Sequence, residues 1–370
     1  MTSSILHTDV LAAFRTMPDN SYHGCLTDPP YGLSFMGHGW DHGVPSVDVW
    51  RELLRVLRPG AHVLAFGGTR TFHRLTCAIE DAGFEIRDCM MWLYGSGFPK
   101  SHDVSKAIDK ANGDHRGKAG KVTSENGAMG GPNYARTPKG DPIAAAAVQY
   151  AGHGTALKPA WEPIIVARKP LDGTVAQNVQ RWGCGGLAID ASRVGYADPS
   201  TVAPFLEKQN LGRWPANVIL DEEAGQALDA QSGNRKSASN TKPSTGGTIM
   251  SGLSGEVRPN GYRAFADGNP YRGEDGGASR FFYQAKASRA ERNAGVEANI
   301  HPTVKPLALA RYLARLILPP IDDARMVVPF CGSGSEVIGA LQAGWSHVDG
   351  VDSWDVAVDI ARARVEHWSK

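Results

Sequence analysis

Residues 324–352 read ARMVVPFCGSGSEVIGALQAGWSHVDGVD, and this stretch decides the fold. Ala324 to Val328 is a short, mostly apolar stretch ending in two valines, as a buried strand requires, and the turn Pro329-Phe330-Cys331-Gly332-Ser333-Gly334-Ser335 follows directly. Glu336 to Ala343 then has helical spacing, and His347 to Val351 is a second strand closed by Asp352. Strand, turn, helix and strand in that order are the unit of a parallel sheet, where a crossover helix returns the chain to start the next strand. Glycines in such a turn let a ligand approach the backbone, and the first helical turn leaves amide donors free. Asp352 stands about twenty residues beyond the glycines, where a carboxylate can take both hydroxyls of a ribose; capping the last helix is its competing use.

The same rhythm governs the opening of the chain. Ser4 to Thr8 and His23 to Thr27 read as strands, Val47 to Leu57 as a helix stopped by Pro59-Gly60, and His62 to Phe66 as an apolar strand ending in Gly67-Gly68. A helix over Thr71 to Ala82 and a strand over Phe84 to Leu93 follow. Periodicity then fails: residues 95–155 are rich in Gly, Lys, Asn and Pro apart from a helical stretch at Val104 to Ala111, which reads as a long insertion over the sheet. Trp161 to Lys169 restores a strand. Leu171 to Asn299 mixes aromatics, glycines and basic residues with little periodicity, most loop-like over Asn234 to Asn269, and is expected to form a second structural unit. Order returns with a helix over Pro306 to Leu318 and, after the stretch quoted above, a last helix reaching Trp368.

A chain of 370 residues with 42% hydrophobic residues can bury a large α/β domain and a smaller appendage. The formal net charge of +1 gives no global field, so a nucleic-acid surface would have to be a local basic patch. The start, MTSSILHTDV, lacks the pattern of a leader peptide, and no apolar run approaches membrane-spanning length, so a cytoplasmic protein without membrane contact is expected. The five cysteines, Cys25, Cys77, Cys89, Cys184 and Cys331, are scattered and never spaced as a metal pair, which suits a reducing compartment and no metal.

Chemistry concentrates in four places. Asp28-Pro29-Pro30-Tyr31 directly follows the strand His23 to Thr27, where open α/β sheets carry their ligands. For a planar, amino-bearing base, Asp28 can accept a hydrogen bond from the amino group, Pro29 can offer its carbonyl, Pro30 stiffens the turn and Tyr31 can stack on the ring. Two acceptors aimed at one nitrogen orient its lone pair, although an ordinary Asp-Pro turn explains the tetrapeptide equally well. The second place is the glycine turn with Asp352. The third is His301-Pro302-Thr303-Val304-Lys305-Pro306, which sets a hydroxyl and an ammonium before a helix, suited to a carboxylate-bearing ligand or, more blandly, to a helix cap and a solvated lysine. The fourth is Asp9, at the end of the first strand and followed by Val10, available to an adenine amino group or to a cap.

Together these signals resemble the beta class of DNA amino methyltransferases, in which a DPPY element comes first, a target-recognition region lies in the middle, and TxKP and FxGxG elements follow. The order here is Asp28 to Tyr31, the loop-rich middle, Thr303 to Pro306, then Phe330 to Gly334. The resemblance covers residues 1–170 and 299–370, and 97–101 and 155–159 are similar to a phage and prophage branch of the class. It implies a Rossmann-like S-adenosyl-L-methionine-dependent methyltransferase fold, circularly permuted. Residues 1–170 would be the catalytic half with insertion 95–155, 171–299 the target-recognition region, and 300–370 the cofactor-binding half. By the same analogy Phe330, Gly332, Ser333, Gly334, Ser335 and Asp352 would hold the adenosine and ribose of the cofactor and Asp9 with Val10 its adenine. Thr303 and Lys305 would hold its methionine end, next to Asp28. Two positions depart from the family: Val328 stands where an acid usually precedes Pro-Phe near the methionine portion, and Asp352 replaces a more usual Glu.

The activity implied is site-specific methylation of adenine N6 in double-stranded DNA after base flipping, in the manner of restriction-modification enzymes. Cytosine N4 is the alternative, since Asp rather than Ser at position 28 leans toward adenine. RNA and protein-amide methylases of similar motif carry Asn before Pro-Pro-Tyr and the cofactor half first, and neither holds here. A catalytically dead DNA-binding regulator would not need Asp28, Tyr31, Gly332 and Gly334 together. Phosphate contacts are expected from Lys100, Lys106, Lys110, Arg116, Lys118, Lys121, Arg136 and Lys139 in the insertion. The middle offers Arg235, Lys236, Lys242, Arg258, Arg263, Arg272, Arg280, Lys286, Arg289 and Arg292. None is singled out for base readout, and a homodimer or a cognate restriction nuclease would be further partners.

Overall fold

The computed structural model describes residues 1–33, 43–95, 97, 101–116, 140–195, 212–236, 275–285, 289–301 and 303–369. The first part of the chain runs β1 (Thr2–His7), α1 (Val10–Thr16), β2 (Tyr22–Thr27), α2 (Val47–Val56), β3 (Leu57–Phe66), α3 (Phe72–Asp81) and β4 (Glu85–Leu93). Next come α4 (Val104–Ala111), α5 (Ala145–Gln149), β5 (Trp161–Arg168) and α6 (Val175–Trp182). The middle adds β6 (Val218–Asp221), α7 (Glu222–Ser232), β7 (Arg235–Lys236), β8 (Asp275–Gly276), β9 (Tyr283–Ala285) and α8 (Arg289–Asn293). The last part is α9 (Leu307–Leu316), β10 (Arg325–Pro329), α10 (Ser335–Ala343), β11 (His347–Asp352) and α11 (Asp355–Trp368).

The described residues fall into two compact units, 1–92 with 162–370, and 93–161. In the larger, the sheet has the order β1-β11-β10-β2-β3-β5-β4-β6-β9. β1, β11, β10, β2 and β3 are mutually parallel, and β5 returns antiparallel to β3. From the middle of the sheet, β2 leads outward to β3 while β10 leads the opposite way to β11, so the winding reverses between β10 and β2. This is a Rossmann-like α/β fold in circular permutation, the C-terminal strands sitting between β1 and β2. Where winding reverses, the flanking loops diverge and leave a crevice beyond the strand carboxyl ends.

Side chains alternate along the central strands between two apolar layers, as a sheet covered on both faces requires. Leu26, Leu64, Phe66 and Val328 join Leu309, Leu313, Ile338 and Trp345 on one side. Cys25, Val63, Ala65 and Val327 join Phe14, Trp50, Leu53 and Ile79 on the other. Trp345 fixes the first layer by donating its indole N–H to the carbonyl of Ala314 at 2.9 Å. Gly24 makes room for that indole, since a Cβ there would lie 2.9 Å from the ring. In the smaller unit, buried Asp109 on α4 accepts the Ala144 amide at 2.9 Å and pairs with Arg116, and Ser105 donates to the Ala147 carbonyl at 2.6 Å.

Two readings of the sequence differ from what is seen. Pro59-Gly60 does not stop α2, which ends at Val56; both residues lie inside β3, where Gly60 has φ +82° and its amide donates to the carbonyl of Lys169 at 3.1 Å. The stretch Leu171 to Asn299, of little periodicity, nonetheless supplies α6, β6, α7 and β9, with β6 and β9 extending the sheet in parallel register. Asn234 to Asn269 lies, from residue 237 onward, outside the described residues.

Candidate active site

Val327 pairs with Cys25, so β10 and β2 end side by side, and the Thr27 hydroxyl ties them by donating to the Pro329 carbonyl at 2.7 Å. Asp28-Pro29-Pro30-Tyr31 and the turn Phe330 to Ser335 therefore leave the sheet together at the reversal of winding. Lys305, from the segment entering α9, reaches the same point.

Its ammonium lies 2.9 Å from Asp28 Oδ2, 3.0 Å from Glu162 Oε2 and 3.1 Å from the Tyr31 hydroxyl oxygen. It also sits 4.7 Å from the centre of the Phe66 ring. Three donors meet three acceptors, which leaves the ammonium without a donor for a ligand carboxylate while these pairs hold. The Tyr31 hydroxyl lies 2.6 Å from Asp28 Oδ1 and 3.3 Å from Glu162 Oε2; having one proton, it donates to the nearer carboxylate. Burial works against the charge of Lys305, but Asp28 and Glu162 outweigh it and hold the ammonium above its usual range. Burial, then the same two carboxylates, raises the Tyr31 phenol, so it stays a neutral donor. Asp28 is thus held through both oxygens, with lone pairs left over for one more donor.

The glycine turn owes its shape to left-handed residues: Phe330, Gly332 and Gly334 have φ of +56°, +47° and +80°. For phenylalanine that is a strained backbone, tolerated where the surroundings impose it. Asp352 supplies part of the imposition, accepting the Gly332 amide at 2.8 Å through Oδ2 and the Trp354 amide at 2.9 Å through Oδ1. A Cβ on Gly332 would lie 3.0 Å from His301 Nε2, and one on Gly334 would lie 3.1 Å from the Ala361 Cβ of α11. A side chain at Gly334 would therefore strain the backbone and crowd α11. Ser333 and Ser335 are buried, and Arg364 of α11 donates to both hydroxyls, at 2.9 and 3.1 Å, and to the Ser333 carbonyl at 2.6 Å. Both hydroxyls are thus held by α11.

Among the remaining expected residues, Asp9 caps α1 by accepting the Ala12 amide at 2.9 Å through one oxygen, and Val10 is buried. Thr303 is exposed, and its carbonyl accepts from His301 Nδ1, whose ring lies 5.4 Å from that of Trp354. Glu336, in the first turn of α10, is buried with its Oε1 unpartnered. Burial, and after it the charge of Asp28, push this carboxyl up to about 7. Glu162, Glu336 and Arg364 were not among the residues expected from sequence. Each had a faint mark: an acid at the start of the apolar run of β5, an acid directly after the glycines, and an arginine on the buried side of α11 with Ala357, Ala361 and Val365.

Of the basic residues, Arg116 is turned inward to Asp109 and Ser105, and Arg280 donates to the carbonyls of Gly276 and Gly277. Arg292 donates to the His301 carbonyl at 2.9 Å, and Lys106 and Lys110 are exposed. Lys100, Lys118, Lys121, Arg136, Lys139, Lys242, Arg258, Arg263, Arg272 and Lys286, and the side chains of Arg235, Lys236 and Arg289, lie outside the described residues. Among the described residues no helix is long and apolar enough to cross a membrane.

A family model of the N6/N4 methyltransferases, described as DNA methylase, matches residues 22–348, spanning both motif-bearing halves. The chain belongs to this DNA methylase family. It is similar to the type II methyltransferase M.HindIII of Haemophilus influenzae, 22% identical over 261 residues, which is 59% of this chain and 67% of that protein. Among solved structures it is similar to the M1.HpyAVI–SAM complex, with 11% identity, TM-score 0.42, and 98% and 99% of the two chains covered. It is also similar to the cytosine-N4-specific PvuII DNA methyltransferase, with 12% identity, TM-score 0.45, and 98% and 86% covered. As a DNA methylase the protein uses S-adenosyl-L-methionine as methyl donor. The crevice of this methylase fits that group. Two carboxylates against one ammonium leave an excess negative charge beside an unpartnered Glu336 oxygen, which suits a ligand carrying a sulfonium and an ammonium.

Proposed function

We propose that this methylase transfers the methyl group of S-adenosylmethionine to the exocyclic N6 amino group of adenine in duplex DNA, acting on a base flipped out of the helix. The observation that carries the reading is the clamp on Asp28: a carboxylate at the carboxyl end of β2, fixed through one oxygen by Tyr31 and through the other by Lys305, beside the glycine turn.

The bound cofactor supplies a methyl group made electrophilic by its sulfonium. Phe330 to Ser335, with Asp352 and Asp9, would receive the adenosine portion, the turn offering backbone amides and the second oxygen of Asp9 an acceptor. Thr303, an exposed residue, would lie at the methionine end. Asp28 accepts one amino hydrogen of the target base and the Pro29 carbonyl accepts the other, which turns the nitrogen lone pair away from the ring and toward the donor. Because Lys305 and Tyr31 hold the Asp28 carboxyl in place, this geometry exists before the base arrives and needs no reorganisation at the moment of transfer. The Pro30 ring keeps the turn rigid, and the Tyr31 ring offers a face on which an extruded base can stack. The proton lost from the amino nitrogen after transfer passes to Asp28 or to solvent.

Adenine is preferred to cytosine N4 because an Asp heads the motif. The test is to incubate the protein with unmethylated duplex DNA and S-adenosylmethionine, digest the DNA and separate its nucleosides by mass spectrometry. N6-methyladenine is expected; N4-methylcytosine alone would replace adenine by cytosine as the target, and the absence of both products would overturn the proposal.

A further inference from the structure

Glu336 takes no part in orienting the target amino group. It is 4% exposed, it lies in the first turn of α10 directly after the glycine turn, and its Oε1 has no hydrogen-bond partner among the described residues. Leaving a carboxylate oxygen buried and unpaired is costly, so a fold that keeps one has a partner for it at some stage of its working cycle. The charged groups acting on it are Asp28 after β2, Lys305 before α9 and Arg364 on α11. The terminal nitrogens of Arg364 bond to Ser333, Ser335 and the Glu291 carbonyl, its Nε makes no hydrogen bond to Glu336 Oε1, and the Lys305 ammonium is taken by Asp28, Glu162 and Tyr31, so neither cation supplies the missing donor as it stands. Val328, near the end of β10, is fully buried in the apolar layer and offers no polar group to the crevice.

We infer that Glu336, from the first turn of α10, is the counter-ion of the cofactor's α-ammonium group. This rests on the reading of the crevice as the S-adenosylmethionine site. The ammonium brings three donors, and one of them satisfies Oε1, so binding removes the burial penalty and discharges the repulsion from Asp28 in one step. Glu336 thereby discriminates for ligands bearing an amino group and contributes little to recognition of the adenosine.

The test is titration calorimetry of the whole protein and of Glu336→Gln with three probes. These are S-adenosylmethionine; its decarboxylated form, which keeps the ammonium; and 5′-methylthioadenosine, which lacks it. A charged hydrogen bond is worth about 1.5–3 kcal/mol, so Glu336→Gln is expected to weaken the first two roughly ten- to a hundredfold while methylthioadenosine stays within about twofold. Equal weakening of all three would mark a structural role and overturn the inference, as would unchanged affinity for S-adenosylmethionine. Glu336→Ala, with the same expectations, stands in if the amide variant does not fold. If the unaltered protein binds none of the probes, it is the cofactor site itself that fails.

Discussion

The Lys305 ammonium lies 2.9 Å from Asp28 Oδ2, joining the turn after β2 to the segment before α9. The pair is nearly out of water, with Lys305 8% and Asp28 18% exposed, and Glu162 completes it at 3.0 Å. Removing the cation from such a cluster leaves two carboxylates facing each other without compensation. Lys305→Met is expected to lower stability by about 3–5 kcal/mol in urea unfolding and to abolish methylation. A variant as stable as the parent would mean that the ion pairs do not hold the site together.

Glu336 gives a pH-dependent stability of unusual sign. Burial, and after it the charge of Asp28, push its carboxyl up to about 7 from the ordinary value of 4.5, so the folded state prefers the protonated form. Whatever that form contributes is fully present below pH 4.5 and is lost as pH rises through 7. Glu336→Gln, which cannot ionise, should melt with the parent near pH 4.5 and above it at pH 8, by at most on the order of 3 kcal/mol. Equal melting at both pH values would show that the carboxyl is not held in a disfavoured charge state; this needs only the free protein.

What sequence could show depended on how local the signal was. The motifs at Asp28 to Tyr31 and Phe330 to Gly334 were legible because each follows an apolar strand and breaks its period with residues of special backbone. Glu162 and Arg364 act across the fold, through Lys305 and through Ser333, and no spacing in the chain announces those meetings. In the middle region the elements are short or lack an apolar stripe: β6 has four residues, β9 has three, and the only buried residue of α7 is Gly225. On α6 the apolar residues Val175 and Val179 are exposed while Asn178 is buried, donating to the carbonyls of Pro59 and Cys184 at 2.9 and 2.8 Å, so its pattern misleads. Excising 171–299 would accordingly take Ile219, Leu220 and Ala285 out of the core, rather than detach a module.

Gly334 tests whether the turn's shape is set by packing. With φ +80° and a would-be Cβ 3.1 Å from the Ala361 Cβ, Gly334→Ala must both strain the backbone and push on α11. A loss of about 1–3 kcal/mol is expected, with weaker binding of S-adenosylmethionine because the strained Phe330 to Ser335 turn is no longer held. Unaltered stability and affinity would show that the turn adapts freely.

The central claim is that Asp28 orients the target amino group, and single-turnover transfer of labelled methyl from S-adenosylmethionine to duplex DNA tests it most directly. Asp28→Ala removes an acceptor fixed by Tyr31 and Lys305. By analogy with loss of one preorganised group in other enzymes, the transfer rate should fall roughly 10²–10³-fold. Duplex affinity, measured beside it by filter binding, should change little, because phosphate contacts dominate it. An Asp28→Ala protein that methylates at the parent rate would contradict the account and return Asp28-Pro29-Pro30-Tyr31 to the status of a structural turn.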